Sequence, residues 1–300
     1  MMTLEQLRIF VAVAEELHFT RAARRLRLTQ PAVSSAIATL EQAHQVPLFH
    51  RIGRSVSLTE AGRLLVPQAR LILRQVAGAE QQLADLSGLR HGTMRIIASQ
   101  TAGTYWLPPR LHRFAEQYPG VSITLAIGNS RQVLAAVLAG DVDLGLLEST
   151  VDDPHVSRRV CAEDRLVIAV GQGHPWFGRA TVTAAELEQA AWIAREDGSG
   201  TRAQFEQALH GLGVDLRRLR ITLTLPNGEA IRTALLSGHG AAGLSDLVVA
   251  DDVAAGRLHA LPLPVAPRPF TLIRHLERYE AAATQAFVAS LPVLSGVDRS

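Results

Sequence analysis

Phe19-Thr20-Arg21-Ala22-Ala23-Arg24-Arg25-Leu26-Arg27-Leu28-Thr29-Gln30-Pro31-Ala32-Val33-Ser34-Ser35 is the stretch from which the architecture of this chain can be read. Thr20 is placed to cap a short helix through Leu26, and Arg27-Leu28 makes a tight connection. Thr29 then stands where a second N-cap is wanted. Pro31 falls in the first turn of the next helix, where its missing N–H costs nothing. Two helices this close predict a helix-turn-helix. Upstream, Leu4, Leu7, Ile9, Phe10, Val13, Ala14 and Leu17 recur at helical spacing behind Thr3, a plausible cap for a leading helix. Downstream, the third helix is expected to run to about Ala43. Val46-Pro47-Leu48-Phe49 and Ser55-Val56-Ser57-Leu58 then bracket a basic, glycine-containing tip, His50 to Arg54. That pattern predicts a β-hairpin, and hence a winged module.

The chemistry of this module suits duplex DNA. Gln30 can contact adenine through its amide, and Ser34 and Ser35 can give or take a hydrogen bond at several bases. Thr20, Thr29 and Pro31 lie at the same helix starts. Arg21, Arg24, Arg25 and Arg27, with Arg51 and Arg54 on the wing, are placed to neutralise phosphates. A solvated basic face on a protein-interaction module is the blander account of these arginines.

Beyond the wing, Thr59 to about Leu89 is helical in pattern, with only Pro67 to disturb it. Leu65, Ala69, Ile72, Val76, Ala79, Leu83 and Leu86 follow one another at steps of four and three. This is the a/d seam by which two helices close on each other, so residues 59–90 are expected to dimerise the chain.

The chain has 300 residues, of which 47% are hydrophobic and 19% charged, enough for a sizeable core and too apolar for a disordered chain. No apolar run reaches the roughly 18–20 residues that span a bilayer. The first ten residues show no signal-peptide pattern, so a cytoplasmic protein is expected. A single cysteine, Cys161, excludes an intrachain disulfide and a cysteine metal cluster. All 30 basic residues are arginine. Residues 1–90 carry a net charge of +4 and residues 91–300 a net charge of −2, which assigns any anionic macromolecular partner to the amino-terminal segment.

Residues 91–300 change texture. Strands are expected at Met94–Ala98, Val121–Ile127, Val142–Leu147, Arg165–Val170, Ala191–Ala194, Ile221–Leu225 and Thr271–Arg274. Helices are expected at Trp106–Tyr118, Arg131–Ala139, Ala184–Gln189, Arg202–Leu212, Gly228–Ser237 and Glu280–Leu291. The alternation predicts parallel sheets covered by helices, divided into two α/β lobes. Lobe I takes about 91–161 and 268–300 and lobe II about 162–267, with Pro262 to Pro269 as the return crossing. Polar and glycine residues gather where strands end: Ser99, Gln100 and Thr101; Asn129; Ser199 and Thr201; Asn227. The carboxyl ends of strands form the ligand crevice of such sheets, and helix N-termini there offer free N–H groups to an anion. Nothing resembles a nucleophile, a metal-binding pair or a dinucleotide fingerprint, so no catalytic residue, metal or cofactor is expected.

Phe19-Thr20-Arg21-Ala22-Ala23, Leu28-Thr29-Gln30-Pro31-Ala32-Val33-Ser34, Leu40-Glu41, Pro47-Leu48-Phe49-His50-Arg51 and Leu58-Thr59-Glu60-Ala61-Gly62 together resemble the LysR-type transcriptional regulators. The resemblance runs through the whole length and order of parts. It implies a winged helix-turn-helix over 1–58, a dimerising linker helix over 59–90, and a two-lobed effector domain like that of periplasmic binding proteins over 91–300. It also implies a homotetramer on promoter DNA and a small-molecule co-inducer. Gln30, Pro31 and Ser34 would face DNA, with Arg51 and Arg54 on wing phosphates. Ser99, Thr101, Asn129, Thr201 and Asn227 would line the effector cleft. Ser199-Gly200-Thr201-Arg202 looks like the branch that controls sulfur assimilation and carbon fixation, which points to an oxyanion or a phosphorylated metabolite.

Three departures from the family pattern stand out. Ser35, Ala36 and Ala38 stand where long polar or basic residues are usual, which implies fewer phosphate contacts and a shallower salt dependence. Gln45 replaces the usual glycine, and a left-handed backbone there costs a non-glycine residue about 1–2 kcal/mol. His44 replaces the usual leucine. The competing expectation is a solute-binding or enzymatic α/β protein that has acquired a basic helical arm.

Overall fold

The computed structural model of the chain describes residues 2–52, 55–85, 92–149, 151–292 and 294. They fall into two compact units, Met1–Leu86 and Ser87–Ser300. The hairpin tip with Arg54, the last seam residue Leu86 and the junction around His91 lie outside the described residues.

The amino-terminal unit contains α1 (Leu4–Glu16), α2 (Phe19–Leu26), α3 (Gln30–His44), β1 (Phe49–Ile52), β2 (Ser55–Leu58) and α4 (Glu60–Asp85). Thr3 caps α1 through a reciprocal box with Gln6. The expected cap of α2 is two residues out of place. Its N-cap is His18, which is extended and accepts from the Arg21 N–H at 3.4 Å through its ring nitrogen, so Thr20 lies inside the first turn. The three helices share one core with the wing, in which Phe49 stands 5.5 Å from Phe10 of α1 and 5.8 Å from Phe19 of α2, ring centre to ring centre. Each of α1, α2 and α3 ends on a left-handed residue other than glycine, namely Leu17, Arg27 and Gln45 (φ 45°, 57° and 53°). Short turns are thus obtained at a backbone cost that glycine would not incur.

Thr59 and Gly62 fix the start of α4. Thr59 donates to the Pro47 carbonyl at 2.7 Å and accepts from the Gly62 N–H at 3.0 Å. A Cβ on Gly62 would come within 2.2 Å of the Leu48 carbonyl oxygen, so only glycine permits that approach. The expected seam along α4 is corrected at its start. Ala69 is fully buried in the core of its own unit and Leu65 packs against that core, because the first turns of α4 lie along α1. The apolar row left exposed is Leu64, Leu71, Ile72 and Leu83.

The second unit runs β3 (Gly92–Ser99), a π-helical turn (Ala102–Trp106), α5 (Pro108–Gln117), β4 (Val121–Gly128), α6 (Ser130–Leu138), β5 (Leu144–Leu147), β6 (Val156–Asp164) and β7 (Leu166–Gly171). It continues with α7 (Ala184–Gln189), β8 (Ala191–Arg195), α8 (Gly200–Gly211), β9 (Arg220–Leu225), α9 (Gly228–Ser237), β10 (Ala241–Ser245), α10 (Asp246–Ala254), β11 (Leu258–Pro262), β12 (Arg268–His275) and α11 (Ala282–Ser290). Two five-stranded sheets result, in the orders β4-β3-β5-β12-β6 and β11-β7-β10-β8-β9.

The sheets are mixed rather than wholly parallel. β3 runs parallel to β4 and β5, and β8 to β9 and β10. β12 is antiparallel to β5 and β6, and β7 is antiparallel to β10 and β11. The chain crosses between sheets twice, at Arg165 and again over residues 263–267, and each crossing strand enters its new sheet against the parallel set. Pro262 and Pro269 belong to β11 and β12, so the return crossing is shorter than expected. Sequence pattern missed β6, with its Arg158, Arg159, Glu163 and Asp164, as well as β10, α10 and β11. The helix expected from Trp106 begins instead as the π-helical turn, and α5 starts at Pro108.

Candidate functional site

The first turn of α3 presents the residues expected to face DNA. Val33, Ile37 and Leu40 are buried, which turns Gln30, Pro31 and Ser35 outward and leaves Ser34 half-buried. Gln30 Nε2 donates to Ser34 Oγ at 2.8 Å, so the two side chains share one face and fix each other's orientation. Thr29 caps the helix, accepting from the Ala32 N–H at 3.4 Å. Thr20 and Arg21 are exposed on α2. On the wing, the Arg51 guanidinium sits 4.3 Å from the centre of the Phe19 ring, a cation–π contact that ties β1 to α2.

Two of the arginines expected to meet phosphates already have acidic partners. Arg21 Nε lies 3.3 Å from Glu16, and Arg25 lies 2.6 Å from Glu15, which also holds Arg70 at 2.8 Å. Burial pushes the Glu15 carboxyl up, but its bonds to Arg25 and Arg70 outweigh that and hold it below the usual range. Arg24 and Arg27 enter no ion pair among the described residues. Glu41 of α3 also reaches the wing. In the fold its Oε1 accepts from the N–H groups of Leu48 (2.7 Å) and Phe49 (3.2 Å), so α3 sets where the wing begins.

In the second unit, the ends of β3, β4 and β5 meet the first turn of α8 from the other lobe. Arg131 donates to Asp197 at 3.1 Å, and its own N–H reaches the Gly198 carbonyl at 3.4 Å. Asn129 caps α6 and donates to the Asp197 carbonyl at 3.5 Å. Gln204 Nε2 donates to the Glu148 carbonyl at 2.8 Å. A Cβ on Gly200 would stand 2.5 Å from Ser130 Oγ, a measure of how tightly the lobes close there.

Ser99, Thr101, Ser199 and Thr201 are each at most 3% exposed at this junction, and Gln100 is half-buried. Ser199 caps α8, accepting from the Arg202 N–H at 3.4 Å. Ser99 Oγ and Ser130 Oγ are buried without a hydrogen-bond partner. Asn227 stands apart from this group. Its Oδ1 caps α9 at 2.7 Å, and no hydrogen bond among the described residues joins it to lobe I.

Three residues that the sequence did not single out complete the junction. Arg268, 2% exposed, donates through Nε to Asp164 at 2.7 Å, through Nη2 to the other Asp164 oxygen, and through Nη1 to Thr201 Oγ1 at 2.8 Å. Burial works against its charge, but the Asp164 bond and the nearby Glu148, Asp164 and Asp246 charges hold its pKa above the ordinary guanidinium value. Glu148, 2% exposed, accepts from the Ala102 N–H at 3.0 Å. No group of three metal-ligating side chains occurs among the described residues, and none of their helices is long and apolar enough to cross a membrane.

A winged helix-turn-helix followed by a two-lobed α/β domain defines a ligand-responsive regulator. Residues 4–63 match the bacterial regulatory helix-turn-helix protein, lysR family, and residues 87–292 match the LysR substrate binding domain. A probable RuBisCO transcriptional regulator of Trichormus variabilis is 36% identical over 290 residues, covering 95% of this chain and 86% of that protein. The full-length CbnR solved with its target DNA shares the fold, with a TM-score of 0.69 at 22% identity over 96% of this chain and 98% of that one. The regulatory domain of Synechocystis CcmR, solved in complex with 2-PG, is 26% identical with a TM-score of 0.60, over 66% of this chain and 95% of that one. The chain belongs to the LysR family of transcriptional regulators, with a helix-turn-helix DNA-binding domain and an effector-binding domain. That membership sets aside the solute-binding or enzymatic alternative.

Proposed function

We propose that this regulator reads promoter DNA through Gln30 and Ser34, with Thr20, Thr29, Pro31 and Ser35 beside them, and answers to a small anionic effector held between its lobes. Arg51 contacts the backbone from the wing, and Arg54 belongs to the same tip. Ser99, Gln100, Thr101, Asn129, Ser199 and Thr201 form the effector site, and Asn227 is its outermost member. The exposed row on α4 pairs two chains, and two such dimers make the tetramer. No cofactor takes part.

The observation that carries the anionic effector is Ser99 Oγ, buried without a partner at the end of β3, in the lobe whose Ser130 and Glu148 meet the start of α8. The 2-PG held by the CcmR regulatory domain and the RuBisCO regulator relative support 2-PG as the first probe. Its binding to the full chain is followed by amide resonances of Ala102 and Arg202, alongside retention of promoter duplex against random duplex. Thr201→Val and Ser99→Ala are expected to weaken 2-PG at least about tenfold and to leave DNA affinity in its absence unchanged. Undiminished 2-PG binding in both variants would remove the effector from this cleft.

A further inference from the structure

We infer that Glu148 makes the interlobe cleft selective for an oxyanion that still carries a hydrogen, and turns away one that carries none. The inference rests on the cleft being the effector site.

Several side chains gathered at the junction have hydrogens to give, and its other carboxylates, Asp164 and Asp197, are bonded to Arg268 and Arg131. Ser99 and Ser130 present buried hydroxyls with no partner. The Thr201 oxygen is already taken as an acceptor by Arg268 at 2.8 Å, which leaves its own hydrogen to give. The first turn of α8 adds backbone N–H groups. Such a set suits an acceptor-only anion such as sulfate.

Glu148 is the exception. It is a carboxylate, 2% exposed, on the residue that follows β5. Its Oε1 accepts one hydrogen bond, from the Ala102 N–H at 3.0 Å, three residues beyond Ser99. Its backbone oxygen is bound by Gln204 of α8, so the residue lies where the lobes meet. The nearby cation, Arg268, feels the Glu148 charge but gives its Nε and Nη2 hydrogen bonds to both oxygens of Asp164, so one guanidinium faces two carboxylates and a net negative charge remains. A carboxylate buried beside the site repels a fully ionised anion, and the low polarity of the surroundings strengthens that repulsion. An anion that keeps a hydroxyl can instead donate to it, and the repulsion becomes a charge-assisted hydrogen bond. Hydrogen phosphate, phosphate monoesters in their protonated form and α-hydroxy acids meet this condition. Sulfate does not.

The test uses the full chain near neutral pH with two probes of similar size, inorganic phosphate, which keeps a hydrogen there, and sulfate, which does not. Binding is read from the Ala102 and Arg202 amide resonances. The wild-type chain is expected to prefer phosphate by at least about tenfold, since the analogue without the hydrogen leaves the carboxylate unpaired. Glu148→Gln keeps an acceptor for Ala102 and supplies an N–H in place of the charge, so the preference should fall to about one, chiefly through tighter sulfate binding. Its melting temperature, compared with wild type, reports whether it is folded. Equal binding of the two anions by wild type overturns the inference without need of the variant. So does a folded Glu148→Gln protein that keeps the preference. Selectivity lost while both anions still bind spares the anionic cleft, whereas failure of both anions to bind wild type overturns this inference and the anionic effector together.

Discussion

Arg268 Nη1 donates to Thr201 Oγ1 across 2.8 Å, while the same guanidinium grips both oxygens of Asp164. Arg268 opens β12 and Asp164 closes β6, so one buried side chain fastens both strands of the crossing and the first turn of α8. Removing one partner of a buried pair strands the other charge, at about 3–5 kcal/mol, whereas replacing both with apolar residues can be neutral. Arg268→Met should therefore destabilise the effector domain by that amount in urea unfolding, and Arg268→Met with Asp164→Leu should recover most of it. A double variant no better than the single one would mean that Thr201, rather than Asp164, is the partner that matters.

Gln45 ends α3 at φ 53°. Glycine removes the steric cost of that conformation but adds freedom to the unfolded chain, for a net gain of about 1 kcal/mol. Gln45→Gly is expected to slow amide exchange about fivefold at Ile37 and Leu40, whose opening tracks that of the whole domain. Unchanged exchange would show that the turn opens separately from the core.

The DNA face predicts a graded response. Gln30→Ala removes an amide that can read a base pair and should cost about 1–3 kcal/mol on the specific duplex and little on random duplex. Phe19→Leu should act through Arg51, weakening both duplexes about equally, by about 0.5–1 kcal/mol, the worth of an exposed cation–π contact. Glu15→Gln leaves Arg25 only its longer contact with Glu16 at 3.7 Å, so the salt dependence should steepen by at most about one phosphate's worth, a slope near −0.9. Competition binding at several salt concentrations checks all three.

Asp252 is buried between Arg232 and Arg257, each at 2.6 Å. The Arg232 bond foremost, opposed by burial and helped by Arg257, holds its carboxyl below the usual range. A depressed carboxylate contributes stability that is complete above its unfolded pKa and disappears as pH falls through the folded one. The melting temperature of wild type should exceed that of Asp252→Asn at neutral pH, and the gap should close as pH drops below about 4. A gap that persists in acid would assign the effect to packing.

Caps and periodicity act over a few residues, and so the winged helix-turn-helix could be read directly from Thr29, Pro31 and the hairpin composition. Even the strain at Gln45 was visible as a departure from pattern. Strand ends carrying Ser99, Thr101, Ser199 and Thr201 were legible for the same reason, since polar residues and glycine mark the turns after strands. Long-range pairing left no such mark. Asp164 and Arg268 are 104 residues apart, and no local pattern links them. β6 carries no strand pattern of its own because its charged residues are satisfied by distant segments, Arg159 by the carbonyls of Val288 and Leu291 and Asp164 by Arg268 of β12. The divided role of α4 was hidden too, because Leu65 and Ala69 fit a dimer seam as well as they fit the face of α1. Local sequence thus determined which elements form and where they begin. Tertiary structure decided strand direction, the partner of each buried charge and which apolar faces stay open, because those depend on loop closure between distant residues and on burial that no single segment provides.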